Sequence, residues 1–255
     1  MNAMVDIFAG GNFRAELVDA IGNVAVAQPR RLRLSGRDVE LRWFDRHAAW
    51  QAAVRVLDSV EDPNIIRHIA VYEGRNVYCI AFPLYHALED TGTHGPEWTP
   101  SVKLLELPTF TVVKCLASAV RAMHAMGTAI GGIRPANVVW DPRPPGRAIL
   151  IPWRLEAVHA GDGYGFYAPE LYSAPGVIQE PTLPSDVFAL GVTIGCFYAG
   201  VMRPTTLTRE YVLQRPLRNF LQAVANASMK ILVGRMTQDD PVNRPTIAQV
   251  LEKLM

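Results

Sequence analysis

The chain has 255 residues, 49% of them hydrophobic, and its 25 basic against 24 acidic side chains leave a formal charge of +1. That length can bury a core of full domain size, and so even a charge balance asks for neither nucleic acid nor an anionic membrane surface as a partner. The three cysteines, Cys79, Cys115 and Cys196, stand in apolar runs without Cys-x-x-Cys or Cys/His spacing, which predicts inert thiols, no metal site and a reducing intracellular setting.

Residues 1–11 carry no basic stretch followed by an apolar core, so no secretory leader is expected. Strand-like runs then fill the first third of the chain, at 23–28, 31–34, 39–44, 67–72 and 76–82, several joined by turn pairs such as Ser35-Gly36 and Glu73-Gly74. An antiparallel sheet is predicted. One helix interrupts it, with Trp50, Ala53, Val54 and Leu57 on a single face and Asp62-Pro63 as its stop. A polar stretch rich in Gly, Thr and Pro follows at 86–100, and the boundary between two lobes is expected near residues 83–87, giving 1–84 and 85–255.

Beyond the boundary, periodicity predicts helices over 110–126, 184–199, 217–236 and 246–254. A short hairpin is expected between Asn137 and Ile151, turning at Asp141-Pro142-Arg143-Pro144-Pro145-Gly146. The longest apolar run, 187–201, falls short of the roughly 20 residues a membrane-spanning helix needs and reads as a buried helix. A small sheet with one helix, then a larger helical lobe, is an α+β arrangement with a cleft between the lobes.

The stretch AMHAMGTAIGGIRPANVV, residues 122–139, resembles the segment of protein kinases in which a helix ending Leu-His-x-x-Gly runs into the catalytic loop His-Arg/Gly-Asp-x-Lys-Pro-x-Asn. On that register His124 is the helix-end histidine, Arg134-Pro135 stands for Lys-Pro, and Asn137 is the loop asparagine. ILIPWRLE, residues 149–156, follows where the family has Asp-Phe-Gly, and an intact Ala168-Pro169-Glu170 comes next. Residues 185–192, SDVFALGV, are similar to Asp-Val-Trp/Phe-Ser-Leu-Gly-Val, and residues 240–246, DPVNRPT, to Asp-Pro-x-x-Arg-Pro-Thr. In the first half, Asp62-Pro63-Asn64-Ile65 resembles the His-Pro-Asn-Ile after the regulatory helix. Counting back from it sets Val39-Glu40-Leu41-Arg42 on Val-Ala-Ile-Lys, and Leu17, Asp19 and Gly22 on the three glycines of the phosphate-covering loop.

The resemblance implies a two-lobed α+β kinase fold over nearly the whole chain. It further implies that Glu170 and Arg244 pair to tie the Ala-Pro-Glu segment to the last helices, that Asp186 accepts hydrogen bonds from the loop backbone, and that His124 is architectural. Phosphoryl transfer in the family needs a Lys held by a Glu, an Asp and an Asn on magnesium, an Asp that takes the acceptor proton, and glycines over the phosphates. Here the Lys position is Arg42 and its Glu partner aligns with Ala53, so Arg42 is expected to lack a carboxylate to fix it. The proton-accepting Asp is Gly132, and the magnesium Asp is Pro152, followed by Trp153 and Arg154 in place of Phe-Gly. Asn137 alone survives, read as a loop-structuring residue.

Activation control also departs from the family. Gly131 replaces the Arg that would meet a phosphate, and residues 155–167 hold Tyr164 and Tyr167 but no Ser or Thr. Trp153, where the family has Phe, reads as a core residue, and with Phe82 near the gatekeeper position it could also fill an empty nucleotide site. The resemblance thus implies a pseudokinase with no catalytic residue, no metal and no cofactor. ATP binding is not expected, and the partners are other proteins rather than nucleic acid or membrane. The alternative is a nucleotide-binding switch, or an atypical ATP-using transferase built on Arg42, Arg134 and Asn137. The loop at 131–137 resembles a degraded His-Gly-Asp-Ile-Lys-Pro-x-Asn, a form found among mitotic-checkpoint kinases, which implies a kinetochore role. The chain ends directly after the last expected kinase helix, as a domain of a longer protein would.

Overall fold

The computed structural model describes residues 4–6, 17, 30–44, 46–74, 77–87, 109–141, 146–152, 168–171, 179–199, 224 and 226–255. They divide into two compact units, one closing at Tyr85 and the other opening at His86.

In the first unit β1 (Met4–Asp6), β2 (Arg30–Leu34), β3 (Arg37–Phe44), β4 (Ala70–Gly74) and β5 (Val77–Pro83) form an antiparallel sheet in the order β1-β4-β5-β3-β2. Ser35 and Gly36 turn β2 into β3 with positive φ at both, 47° and 75°. Positive φ at both central residues is the two-residue turn whose twist matches that of the flanking strands. Leu41 lies opposite Ala81 and Arg42 opposite Ile80, so the period of two sends Val39, Leu41, Trp43, Cys79 and Ala81 to one face, where they bury with Tyr72 and Leu17. Glu40, Arg42, Ile80 and Phe82 share the other face.

The helix α1 (His47–Ser59) contacts β3 and β5. It buries Trp50, Ala53 and Leu57, and the Trp50 Nε1–H donates to the Cys79 carbonyl at 3.2 Å. Val60 is already extended, and the Asp62 carboxylate accepts from the Asn64 N–H at 2.8 Å to close the turn beyond it. The strand expected at 67–72 begins only at Ala70. Before it the chain runs as irregular backbone whose Ile69 N–H donates to the Ala81 carbonyl, and His68 is buried beside Asp58. The strand expected at 23–28 lies outside the described residues, whereas β1, which no periodicity announces, extends the sheet beside β4.

The second unit holds a small sheet, β6 (His86–Ala87), β7 (Val138–Asp141) and β8 (Arg147–Leu150), in the order β6-β7-β8. Its helices are α2 (Thr109–Ala125), α3 (Leu183–Ala199), α4 (Ala227–Met236) and α5 (Ile247–Leu254). α2 packs on β8, α3 and α5, while α3 packs on α2 and α4. From Ser185 to Phe197 every residue of α3 is buried, as befits a helix apolar almost all round and enclosed by its neighbours. Its start is fixed by a reciprocal pair: the Ser185 N–H donates to Thr182 Oγ1 at 3.2 Å, and the Thr182 N–H donates to Ser185 Oγ at 2.8 Å. Of the helix expected over 217–236, residues 217–223 and 225 lie outside the described residues; α4 begins at Ala227, where Asn226 caps it by accepting from the Met229 N–H at 3.0 Å. Thr246 and Gln249 form a full capping box at the head of α5.

Two consequences are measurable. A Cβ on Gly191 of α3 would stand 2.8 Å from Met236 Cβ and 3.0 Å from Thr237 Cγ2, so the bare glycine lets α3 and α4 close together. Gly191→Ala should lower the melting temperature, since overpacking of about 1–3 kcal/mol outweighs a helix-propensity gain of about 1 kcal/mol. Gly234→Ala on α4, where an added Cβ meets nothing within 4 Å, should raise it, and equal responses would refute the close-approach argument. In the first unit His68 is buried, and that burial holds its pKa below the ordinary 6.5 while Asp58 pulls the other way. A histidine whose folded pKa is depressed gives its full stabilisation above the unfolded pKa and loses it as pH falls below about 6.5. Melting curves should therefore drop below that pH, and His68→Gln should flatten the drop. Parallel pH profiles for the two proteins would exclude His68 as the source.

Candidate functional site

The loop between α2 and β7 bends at two consecutive glycines in the left-handed region, Gly131 at φ 65° and Gly132 at φ 58°. That conformation costs a residue with a side chain about 1–2 kcal/mol. The bend lies beside the carboxylate of Asp186 in the first turn of α3. The Ile130 N–H donates to Asp186 Oδ2 at 2.6 Å, the Gly131 N–H to Oδ1 at 2.9 Å, and His124 Nε2 to Oδ2 at 3.0 Å. Asp186 is 1% exposed, so three donors replace the water it has lost.

Further along the loop, the single hydroxyl proton of Thr193 Oγ1 on α3 is shared between the Ala189 carbonyl at 2.8 Å and the Ile133 carbonyl at 3.2 Å. Asn137, buried in the 3-10 turn Pro135–Asn137, donates from Nδ2 to the Gly132 carbonyl at 2.7 Å. Its own carbonyl accepts from the Ile151 N–H at 2.8 Å. Between Ile130 and Asn137 the sequence supplies no carboxylate, imidazole or thiol. Pro152 follows Ile151 in a buried position.

The second clamp joins the turn Pro169–Leu171 to the segment before α5. Arg244 Nη1 donates to Glu170 Oε1 at 2.6 Å and Nη2 to Oε2 at 2.8 Å, a bidentate pair. Its remaining donors go to the carbonyls of Gln238, Pro184 and Asp239 at 2.7, 3.2 and 2.9 Å, which uses all five guanidinium N–H groups. The guanidinium also lies 4.9 Å from the centroid of the Phe188 ring. The Arg244 side chain is fully buried and that of Glu170 is 25% exposed.

In the first unit the structure departs from two expectations. Arg42 does have a carboxylate: its Nε donates to Glu40 Oε1 at 2.8 Å, because residues two apart on a strand share a face. Its guanidinium lies 5.9 Å from the centroid of the buried Phe82 ring. Ala53, aligned with the family's Glu, is buried on α1. Leu17, aligned with a phosphate-loop glycine, is fully buried in the core on the opposite face of the sheet from Arg42, so it cannot crowd a phosphate from that position. Trp153, Arg154, Asp19, Gly22, Tyr164 and Tyr167 lie outside the described residues.

Burial pushes the Cys79 and Cys196 thiols up, which makes them poor nucleophiles. Cys115 is half-buried. Among the described residues no three His, Cys, Asp or Glu side chains gather as a metal site would require, and no helix is long and apolar enough to cross a membrane. The motifs did not point to Glu40 or Thr193. The signal for Glu40 was its place two residues before Arg42 in an alternating run, and that for Thr193 was a lone hydroxyl in an apolar helix.

Among the described residues, a five-stranded sheet with the helix α1, and a mainly helical unit whose buried carboxylate grips a loop at the head of a hairpin, resemble the two lobes of protein kinases. The crystal structure of Rad53 residues 1–466 in complex with AMP-PNP matches with a TM-score of 0.66 at 15% identity, over 92% of this chain and 63% of that one. In sequence the chain is 22% identical over 279 residues to a protein kinase and PP2C-like domain-containing protein of Oryza sativa subsp. japonica, covering 92% of this chain and 41% of the relative. It is 26% identical over 257 residues to the serine/threonine-protein kinase DCLK2 of Rattus norvegicus, with 94% and 33% covered. To the serine/threonine-protein kinase PknK of Mycobacterium tuberculosis it is 27% identical over 188 residues, with 67% and 16% covered. The chain thus spans well under half the length of these relatives. No family model matches it. In fold the chain is similar to protein kinases, and in sequence it bears a weak likeness to several of them.

The second clamp can be tested by stability. Glu170→Gln keeps the shape of the side chain but strands a buried guanidinium, and should cost about 3–5 kcal/mol. At about 2–4 °C per kcal/mol the melting temperature should fall by roughly 10 °C. A fall of only a degree or two would show that the pair does not hold the fold.

Proposed function

We propose that this chain is a pseudokinase domain, a kinase fold without phosphotransfer chemistry that serves to bind other proteins. The observation that carries the proposal is the loop at 130–137. The position of the proton-accepting Asp is Gly132, whose carbonyl is taken by the amide of Asn137, and the position of the magnesium-binding Asp is Pro152. Glycine offers no group to deprotonate an acceptor hydroxyl, and proline offers no carboxylate oxygen to a cation that prefers hard oxygen ligands in octahedral geometry. Arg42 keeps a positive charge but is a broad fork in place of a compact ammonium, and it is held by its own strand through Glu40. Catalytic groups act as a unit, so combined losses are not rescued piecemeal. The Asp186 and Glu170–Arg244 clamps, by contrast, serve shape alone. They leave a folded surface for protein partners, and this reading involves no ATP, metal, nucleic acid or membrane. The form of residues 131–137 supports an intracellular signalling setting such as the kinetochore.

A second reading, a nucleotide-binding switch or an atypical transferase, is favoured by the relatives' names as kinases and by the AMP-PNP bound to Rad53. Arg42, Arg134 and Asn137 would then meet the phosphates. Melting the protein with and without millimolar ATP and magnesium separates the readings, together with an assay for radiolabelled phosphate transfer. The pseudokinase reading expects no shift and no incorporation. A ligand present at a hundred times its Kd would stabilise by about 2.7 kcal/mol. A magnesium-dependent shift of that kind without incorporation would establish the switch. Incorporation that Arg134→Ala abolishes would establish the transferase.

A further inference from the structure

The end of α2, the head of α3 and the segment from Pro241 to Ala248 enclose an open groove of about 540 Å3 within the second unit, inside the range of about 300–1,000 Å3 common for binding clefts. Leu183, Val187, Pro241, Pro245, Ile247 and Ala248 make its walls apolar, and the prolines among them have no N–H that would need a partner. Beside these walls the apolar surface continues outward. Leu183 is 36% exposed, Met126 next to the lining residue Ala125 is 40% exposed, and Val242 next to Pro241 is 87% exposed. Exposed large apolar side chains next to an apolar groove are a mark of a contact site.

Charge narrows the occupant. Three cationic or basic side chains reach the groove, namely Arg121, His124 and Arg244. Arg244 is neutralised by Glu170 and His124 is bound to Asp186. The nearby Asp240 carboxylate is occupied by its own turn, accepting from the Val242 N–H and from Asn243 Nδ2. Arg121 is exposed and makes no hydrogen bond or ion pair with any described residue. The groove is thus an apolar trough with one uncompensated guanidinium at its side, which complements a segment that pairs apolar side chains with a carboxylate.

We infer that this groove docks a short segment of a partner protein that is apolar on one side and carries an Asp or Glu against Arg121. The inference rests on the protein-binding half of the proposed function and names the partner's chemistry. It does not depend on the absence of phosphotransfer. The test uses the whole chain and synthetic peptide pools in which one position is fixed as apolar and another as Asp/Glu, Lys/Arg or Ser, with binding read by fluorescence anisotropy. The apolar-acidic pools should bind best. Ala248→Arg, at an exposed position that fills the trough, should weaken them about tenfold or more, as loss of a central contact does.

Arg121→Glu, also at an exposed position, should shift the preference to the Lys/Arg pools, and melting curves of both variants should match the parent. Equal binding of all pools, insensitivity to Ala248→Arg or an unchanged charge preference in Arg121→Glu would overturn the inference. So would binding of a fluorescent fatty acid that no peptide displaces. Groove binding alongside phosphate incorporation would sink only the pseudokinase reading. A chain that transfers no phosphate and binds no peptide here would sink only the groove.

Discussion

A carboxylate at 1% exposure without partners would cost several kcal/mol, and Asp186 is in that position at the head of α3. What makes it stable is the loop at 130–131 turning two N–H groups toward it, with the His124 imidazole as a third donor. The positive end of the helix dipole adds to the attraction in the same turn. The dependence runs both ways. Uncoiling the loop would orphan the charge, and moving the charge would leave the loop with two buried donors unmet. Loop shape, helix position and the site built from them are therefore one coupled unit.

The other clamp meets this one on the same turn of α3. Arg244 reaches the Pro184 carbonyl two residues before Asp186 and lies over the Phe188 ring two residues after it. The first turn of α3 thus receives a carboxylate–amide network from one side and a guanidinium–carbonyl network from the other. The carboxylate takes three donors, and each of the five guanidinium N–H groups finds an acceptor. A fully satisfied buried polar network fixes one arrangement and penalises near misses. The chain can therefore hold the loop in a defined shape whatever the loop does chemically.

Both clamps were legible in the sequence through its resemblance to protein kinases, whose motifs carry the aspartate at the helix head and the Glu and Arg on either side of that helix. The long helices were legible for a different reason, their 3.6-residue periodicity. What escaped notice was short or local. Strands of two and three residues, β6 and β1, carry no period to detect. The cap at Asn226, which fixes the start of α4, sits inside an apolar pattern that runs on across it and so gave no sign of a boundary. The Arg42–Glu40 contact was hidden because the family comparison looks for a carboxylate on a helix, while the strand's own alternation supplied one two residues away.

At Gly132 folding and catalysis make opposite demands. The backbone there holds φ at 58°, a conformation in which any side chain adds strain of about 1–2 kcal/mol, so the residue that best suits the fold is the one that brings no chemistry. An Asp at this point would add that strain next to Gly131, whose N–H is already taken by Asp186. Asn137 shows the same economy, since its amide is turned back to the Gly132 carbonyl and stabilises the bend it follows. None of the contacts that hold the loop requires a proton acceptor or a metal ligand within it. A residue with a side chain at this point would have to be supported by stability elsewhere, the usual conflict between a strained residue and a relaxed fold.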